Sequence, residues 1–188
     1  MPIFARMQFL ENIKIKIGKY LLKSSLEKRE PMSAVPNFDS IKEIAILYQA
    51  DDTKKEAEVN KLAQHLREQG KKVLLMGFVN QKQLPENYKF QISQEYFWKE
   101  SLSLFLLPQK EKVANFINKP FDLLINLYSE FSLPMVAVSA YSKAKNRIGA
   151  HFPESESYND ILIDGQFKNL FELGLQMEHY LKIVNSKS

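Results

Sequence analysis

Two short apolar runs, residues 41–48 and 73–78, constrain this chain more than any other feature. They start about 30 residues apart, the span of a βαβ unit. Between them Val59, Leu62, Ala63 and Leu66 recur at helical spacing, and Gly70 supplies a C-terminal stop. Asp51, Asp52 or Thr53 offers the acceptor that the first-turn amides of that helix need. The spacing therefore predicts two parallel strands joined by a right-handed helical crossover.

The same rhythm returns later in the chain. Residues 121–127 carry Phe121, Leu123, Leu124, Ile125 and Leu127 without alternation, as expected for a central strand buried on both faces. A helix over 129–141 is predicted despite Pro134, followed by short strands at 147–152 and 160–163. Phe167, Leu170, Phe171, Gly174, Met177 and Leu181 form the inner face of a closing helix over 166–184. The stretch 79–120 is less regular. Residues 88–92 read as a short strand and 113–117 as the end of a helix. Trp98 lies among Tyr96, Phe97, Leu102, Phe105 and Leu106, a patch that is either core beneath a loop or a partner surface. Strands alternating with helices of these lengths define an α/β domain over residues 37–188. It is a single doubly wound domain, Rossmann-like or flavodoxin-like, with a mostly parallel sheet of five or six strands.

Residues 1–36 form a basic N-terminal helix and linker. Phe9, Ile13, Ile17 and Tyr20 recur at helical spacing within 5–29, widened by Leu10 and Leu21. Lys16, Lys19 and Lys23 fall on one flank of that stripe. The run Ile13-Lys14-Ile15-Lys16-Ile17 also alternates with period two, a strand pattern inside a segment whose length favours helix. Glu30-Pro31 and Pro36 mark the linker. The chain's net charge is +4. All of it comes from residues 1–30, because beyond them basic and acidic residues balance. A neutral body disfavours a nucleic-acid groove across the main domain.

Composition removes several chemistries. There is no cysteine, which excludes disulfides and thiol catalysis. No apolar run approaches the roughly 20 residues of a membrane span, and no signal peptide is legible, so a cytoplasmic protein is expected. His65, His151 and His179 lack metal-ligand spacing, and neither a metal nor a cofactor is expected. The first strand–helix turn, Gln49-Ala50-Asp51-Asp52-Thr53, has no glycine, so it is neither a dinucleotide fingerprint nor a P-loop. Open parallel sheets bind ligands beyond the carboxyl ends of their strands. That rule selects Asp51, Asp52, Asn126, Ser129 and His151 as a candidate crevice, with Glu130 a possible base beside Ser129.

The segment Phe121-Asp-Leu-Leu-Ile-Asn-Leu127, with Ser139-Ala-Tyr-Ser-Lys-Ala-Lys-Asn-Arg-Ile-Gly149, resembles the N-terminal half of heptosyltransferase-type glycosyltransferases. The whole chain also resembles a small uncharacterised bacterial family with this core and a basic N-terminal helix. The first resemblance implies a Rossmann-like half whose nucleotide-sugar would sit mainly on a second domain. It also implies a catalytic Asp in a Gly-Asp turn. This chain has Gln49-Ala50-Asp51-Asp52 there, so the resemblance supports the fold and argues against the reaction.

The expected function is a non-catalytic binding or scaffold module. Phe9, Ile13, Ile17, Lys16, Lys19 and Lys23 would form its docking surface, toward an unknown protein, ribosome or RNA, or an anionic membrane surface. A small enzyme or small-molecule-binding domain, as a degenerate glycosyltransferase-like half, is the alternative. A homo-oligomer joined through the N-terminal helix is a third.

Overall fold

The computed structural model describes residues 3–28, 32, 34–50, 52–86, 88 and 92–185. Six strands form one sheet: β1 (Glu43–Gln49), β2 (Lys72–Val79), β3 (Gln94–Trp98), β4 (Leu123–Leu127), β5 (Asn146–Ala150) and β6 (Ile161–Ile163). Their order is β3-β2-β1-β4-β5-β6 and every neighbouring pair is parallel. The helices are α1 (Ile3–Glu27), α2 (Thr53–Glu68), α3 (Ala114–Ile117), α4 (Leu133–Tyr141) and α5 (Leu170–Asn185). This is the α/β doubly wound architecture that the apolar runs imply, and β4 is central, paired to β1 and β5.

From β1 the chain winds outward one way through β2 and β3 and the other way through β4, β5 and β6. Right-handed crossovers then place the helices of the two halves on opposite faces. α2 packs with α5 on one face, and α4 carries α3 and α1 on the other. Ile44 to Tyr48 and Leu123 to Leu127 are buried throughout, because helices cover both faces of the central strands. Close approach fixes α5: a Cβ at Gly174 would lie 2.2 Å from Leu62 Cδ2.

Polar groups pin α2 to the sheet. Glu56 in its first turn accepts from Gln94 Nε2 at 3.0 Å and from the Tyr96 hydroxyl. Burial pushes the Tyr48 and Tyr96 hydroxyls well above the ordinary phenol range, so both remain protonated donors.

Several expectations change. The 88–92 strand does not stand: Tyr88 and Ile92 lie outside any strand, and 89–91 fall outside the described residues. The actual strand is β3, and Trp98 ends it. The fourth helix starts at Leu133 rather than 129, with Ser132 as N-cap and Pro134 in the first turn, where a missing N–H costs nothing. In the linker, residues 29–31 and 33 lie outside the described residues.

The 13–17 alternation resolves as helix. Ile15, Gly18, Leu22 and Leu26 turn toward the body, and Leu22 is only 1% exposed. A Cβ at Gly18 would sit 2.5 Å from the Phe105 carbonyl oxygen and 2.6 Å from Leu133 Cδ2, so α1 lies hard against the body there. Ile13 and Ile17 point the other way, into solvent.

Candidate functional site

The strand order reverses between β1 and β4, the place where open α/β sheets part to form a crevice. Gln49 ends β1 there, and Ser129 and Glu130 follow β4. Three adjoining cavities run along this edge. One of about 490 Å³ lies between the starts of α2 and α5 and includes Asp52, Lys54, Lys55, Ser129 and Lys168. A narrow one of about 160 Å³ includes Gln49, Tyr128, Ser129 and Glu130. The third, about 470 Å³, includes Gln49, Asn80, Lys99 and Glu130, with Glu11 and Ile15 of α1 on its wall.

Of the residues selected from the sequence, Asp52 and Ser129 meet in one cavity. Asp51 lies outside the described residues. His151 stands apart beyond β5, half-exposed, with Nδ1 3.9 Å from Asp164 Oδ1. Asn126 is not in the crevice. It is buried beneath α4, donating to Ser139 Oγ at 2.9 Å and Asn159 Oδ1 at 2.7 Å. Lys54, Lys55 and Lys168 were missed because they belong to helix starts, whereas the strand-end rule points only at the loops. Among the described residues no group of three His, Asp or Glu could hold a metal ion.

Four amides at this crevice already have acceptors. Asp52 Oδ1 takes Lys54 N at 2.8 Å, and Glu58 Oε2 takes Leu170 N at 3.1 Å. Asn169 Oδ1 takes Glu172 N at 2.8 Å, and Glu172 Oε2 takes Lys168 N at 2.7 Å. Helix starts that cradle phosphate elsewhere present free N–H groups to it. Here three carboxylates and an amide occupy those donors and place negative charge where a phosphate would sit.

Residues of the segment 121–149 hold the frame together. Asp122 Oδ2 accepts from Lys42 N and Glu43 N at 2.9 and 3.0 Å, while Oδ1 takes Lys145 Nζ at 2.8 Å. Burial opposes ionisation of this carboxyl, but these hydrogen bonds win and hold it down at about 2. Arg147, buried, donates to the Ser139 and Ser142 carbonyls at the end of α4 at 3.0 and 2.6 Å. Gly149 leaves room for Asn159, whose Oδ1 would lie 2.7 Å from a Cβ there.

A second surface lies on α1. Phe9, Leu10, Ile13, Ile17, Tyr20 and Leu21 are all exposed, Phe9 at 57% and Tyr20 at 77%. At about 100° per residue they form one stripe, directly opposite Ile15, Gly18 and Leu22. Lys14 lies on one edge of the stripe and Lys16 and Lys23 on the other. Lys19 is engaged with the body: its Nζ is 2.6 and 2.8 Å from the Glu154 carboxylate and 4.3 Å from the Phe131 ring centroid. Leu106 and Glu154 are the two non-glycine residues with positive φ among those described, at 60° and 73°. Leu106 follows the carbonyl that meets Gly18, and Glu154 grips Lys19. Backbone strain of this kind persists where surrounding contacts enforce it. No pattern in the sequence marked Glu154, and Leu106 stood out only as a member of the patch around Trp98.

Comparison with known proteins places the chain in a family. The profile of a family of unknown function (DUF6913) matches residues 14–184, and the chain belongs to that family. No curated protein matches it.

Proposed function

We propose that this protein is a non-catalytic cytoplasmic docking module that binds an anionic membrane surface through the outer face of α1. The observation that carries the reading is the exposed stripe of Phe9, Leu10, Ile13, Ile17, Tyr20 and Leu21 on a helix whose opposite face is clamped to the body. Six large apolar side chains on one helix face exceed the scattered exposure of an ordinary surface. Lysines on both edges of such a stripe suit a helix lying in a lipid interface, apolar side down and cations at the headgroups. The local charge selects among partners. A second copy would bring the lysine edges of two stripes together. RNA would meet the lysines and leave the apolar side chains in water. An anionic bilayer meets both, at about 1 kcal/mol for each lysine near the surface.

Co-sedimentation with vesicles tests the proposal, comparing phosphatidylcholine alone with phosphatidylcholine carrying phosphatidylglycerol. Binding to the anionic vesicles only is expected, weakened by salt, and abolished by the triple variant F9S/I13S/I17S. Each of K16Q and K23Q should weaken it roughly fivefold, the equivalent of about 1 kcal/mol. Equal binding to neutral vesicles, salt-sensitive binding to RNA without vesicle binding, or dimerisation that disappears in the triple variant would each replace this reading.

A further inference from the structure

We infer that the groove between α1 and the body holds the acyl chain of a single-chain amphiphile with an anionic head. The inference extends the membrane-docking reading, which supplies the lipid phase from which such a ligand would come.

The groove has a volume of about 310 Å³, within the range of small-molecule sites. Its walls are Leu22 and Leu26 of α1, with Phe131, Leu133, Val136 and Tyr158 of the body. Carbon dominates this lining, which suits an alkyl chain and gives a polar molecule little to bond. Charged groups stand at the margin: Lys19 and Lys23 from α1, and Glu154 from the body. Glu154 is held by Lys19, and Lys23 has only a loose contact to Glu27 at 3.6 Å. Lys23 is therefore the cation positioned to meet an incoming head group, and its sign selects an anion. Tyr158 adds a second indication. It is 1% exposed, and its hydroxyl has no hydrogen-bond partner among the described residues. Buried polar groups are rarely left so.

The position of the groove matters as much as its lining. Tyr20 belongs both to the groove and to the exposed stripe. The mouth therefore opens beside the face that the docking reading turns toward lipid. One chain could pass from the bilayer into the groove without crossing bulk water, and its occupancy would brace α1 against α4.

Decanoate, soluble without a bilayer, is the probe. Titration calorimetry on the full chain should give saturable one-to-one binding in the micromolar range. L26W and S157F narrow the groove from its two sides at half-buried and exposed positions. Each should weaken binding at least tenfold while the circular dichroism spectrum stays that of the parent. K23Q should also weaken it, and decyltrimethylammonium should not bind. F9S/I13S/I17S should bind decanoate as the parent does while losing the vesicles, which separates the groove from the docking face. No saturable binding, unchanged binding in folded L26W and S157F, or equal binding of decyltrimethylammonium would overturn the inference. Loss of decanoate binding alone would leave the docking reading standing. Decanoate binding without vesicle binding would leave only the groove.

Discussion

Asp122 braces the frame with one carboxylate, which ties the start of β1 to Lys145 before β5. Its pKa of about 2 lies below the ordinary aspartate value of 3.8, so the folded state favours the ionised form. That stabilisation is complete above about pH 4 and is lost as pH falls through about 2. A difference of this size is worth on the order of 2 kcal/mol. D122N should therefore lower the denaturation midpoint at pH 7, and the gap from the parent should close in acid. A gap that is constant with pH would refute the assignment. Gly149 makes a second residue-scale prediction. G149A pushes a Cβ into Asn159, breaks its bond to Asn126 and strands buried amides, at a cost of about 1–3 kcal/mol. Both residues stood in the segment that drew attention in the sequence, but their partners lie at other strands and in loops, out of reach of any local pattern. Asn126 was misplaced for the same reason: strand-end position suggested a crevice, whereas Asn159, far along the chain, draws it into the interior. The occupied helix-start amides give a third prediction. Nucleoside phosphates should bind no better than about millimolar, or roughly 4 kcal/mol, by calorimetry. A micromolar affinity would make the crevice a functional site.

At the scale of elements, legibility followed burial on two faces. β1, β2 and β4 announced themselves as unbroken apolar runs, and α2 as a clean stripe, because helices and sheet bury them on a simple period. β3 stayed hidden because it is an edge strand that begins Gln94-Glu95, with Gln94 serving Glu56 and Tyr48 rather than the apolar core. α1 misled differently. It is apolar on two opposite faces, so Ile13, Ile15 and Ile17 alternate in sequence as they would in a strand. The stripe seen in the sequence is the outer one; the inner contact through Gly18 and Leu22 was not legible, since a glycine and one leucine make no period. That inner contact sets the consequence of deleting α1. Burial of Leu22 and partial burial of Ile15 and Leu26 are worth roughly 3–5 kcal/mol together. A chain starting at residue 37 should still unfold cooperatively in urea, since the sheet and its other helices keep their own core, but with stability lower by that amount. Loss of cooperativity would make α1 part of the folding unit.

The whole molecule is a doubly wound sheet with a helix laid over α4, across part of the edge where such sheets bind ligands. The body is electrically balanced and four of its crevice amides are taken, while residues 1–30 carry the net charge and the added helix within them has an uncovered apolar face. In the proposed docking role, the body would be a mount and α1 what it presents. That claim is tested most directly by replacing Phe9 with tryptophan and recording emission against the parent, whose single Trp98 supplies the background. On vesicles containing phosphatidylglycerol the added emission should shift to the blue and be quenched by lipids brominated along their chains, and neither change should occur on phosphatidylcholine alone. Emission from F9W that stays red and unquenched on anionic vesicles would place the outer face of α1 in water and contradict the account.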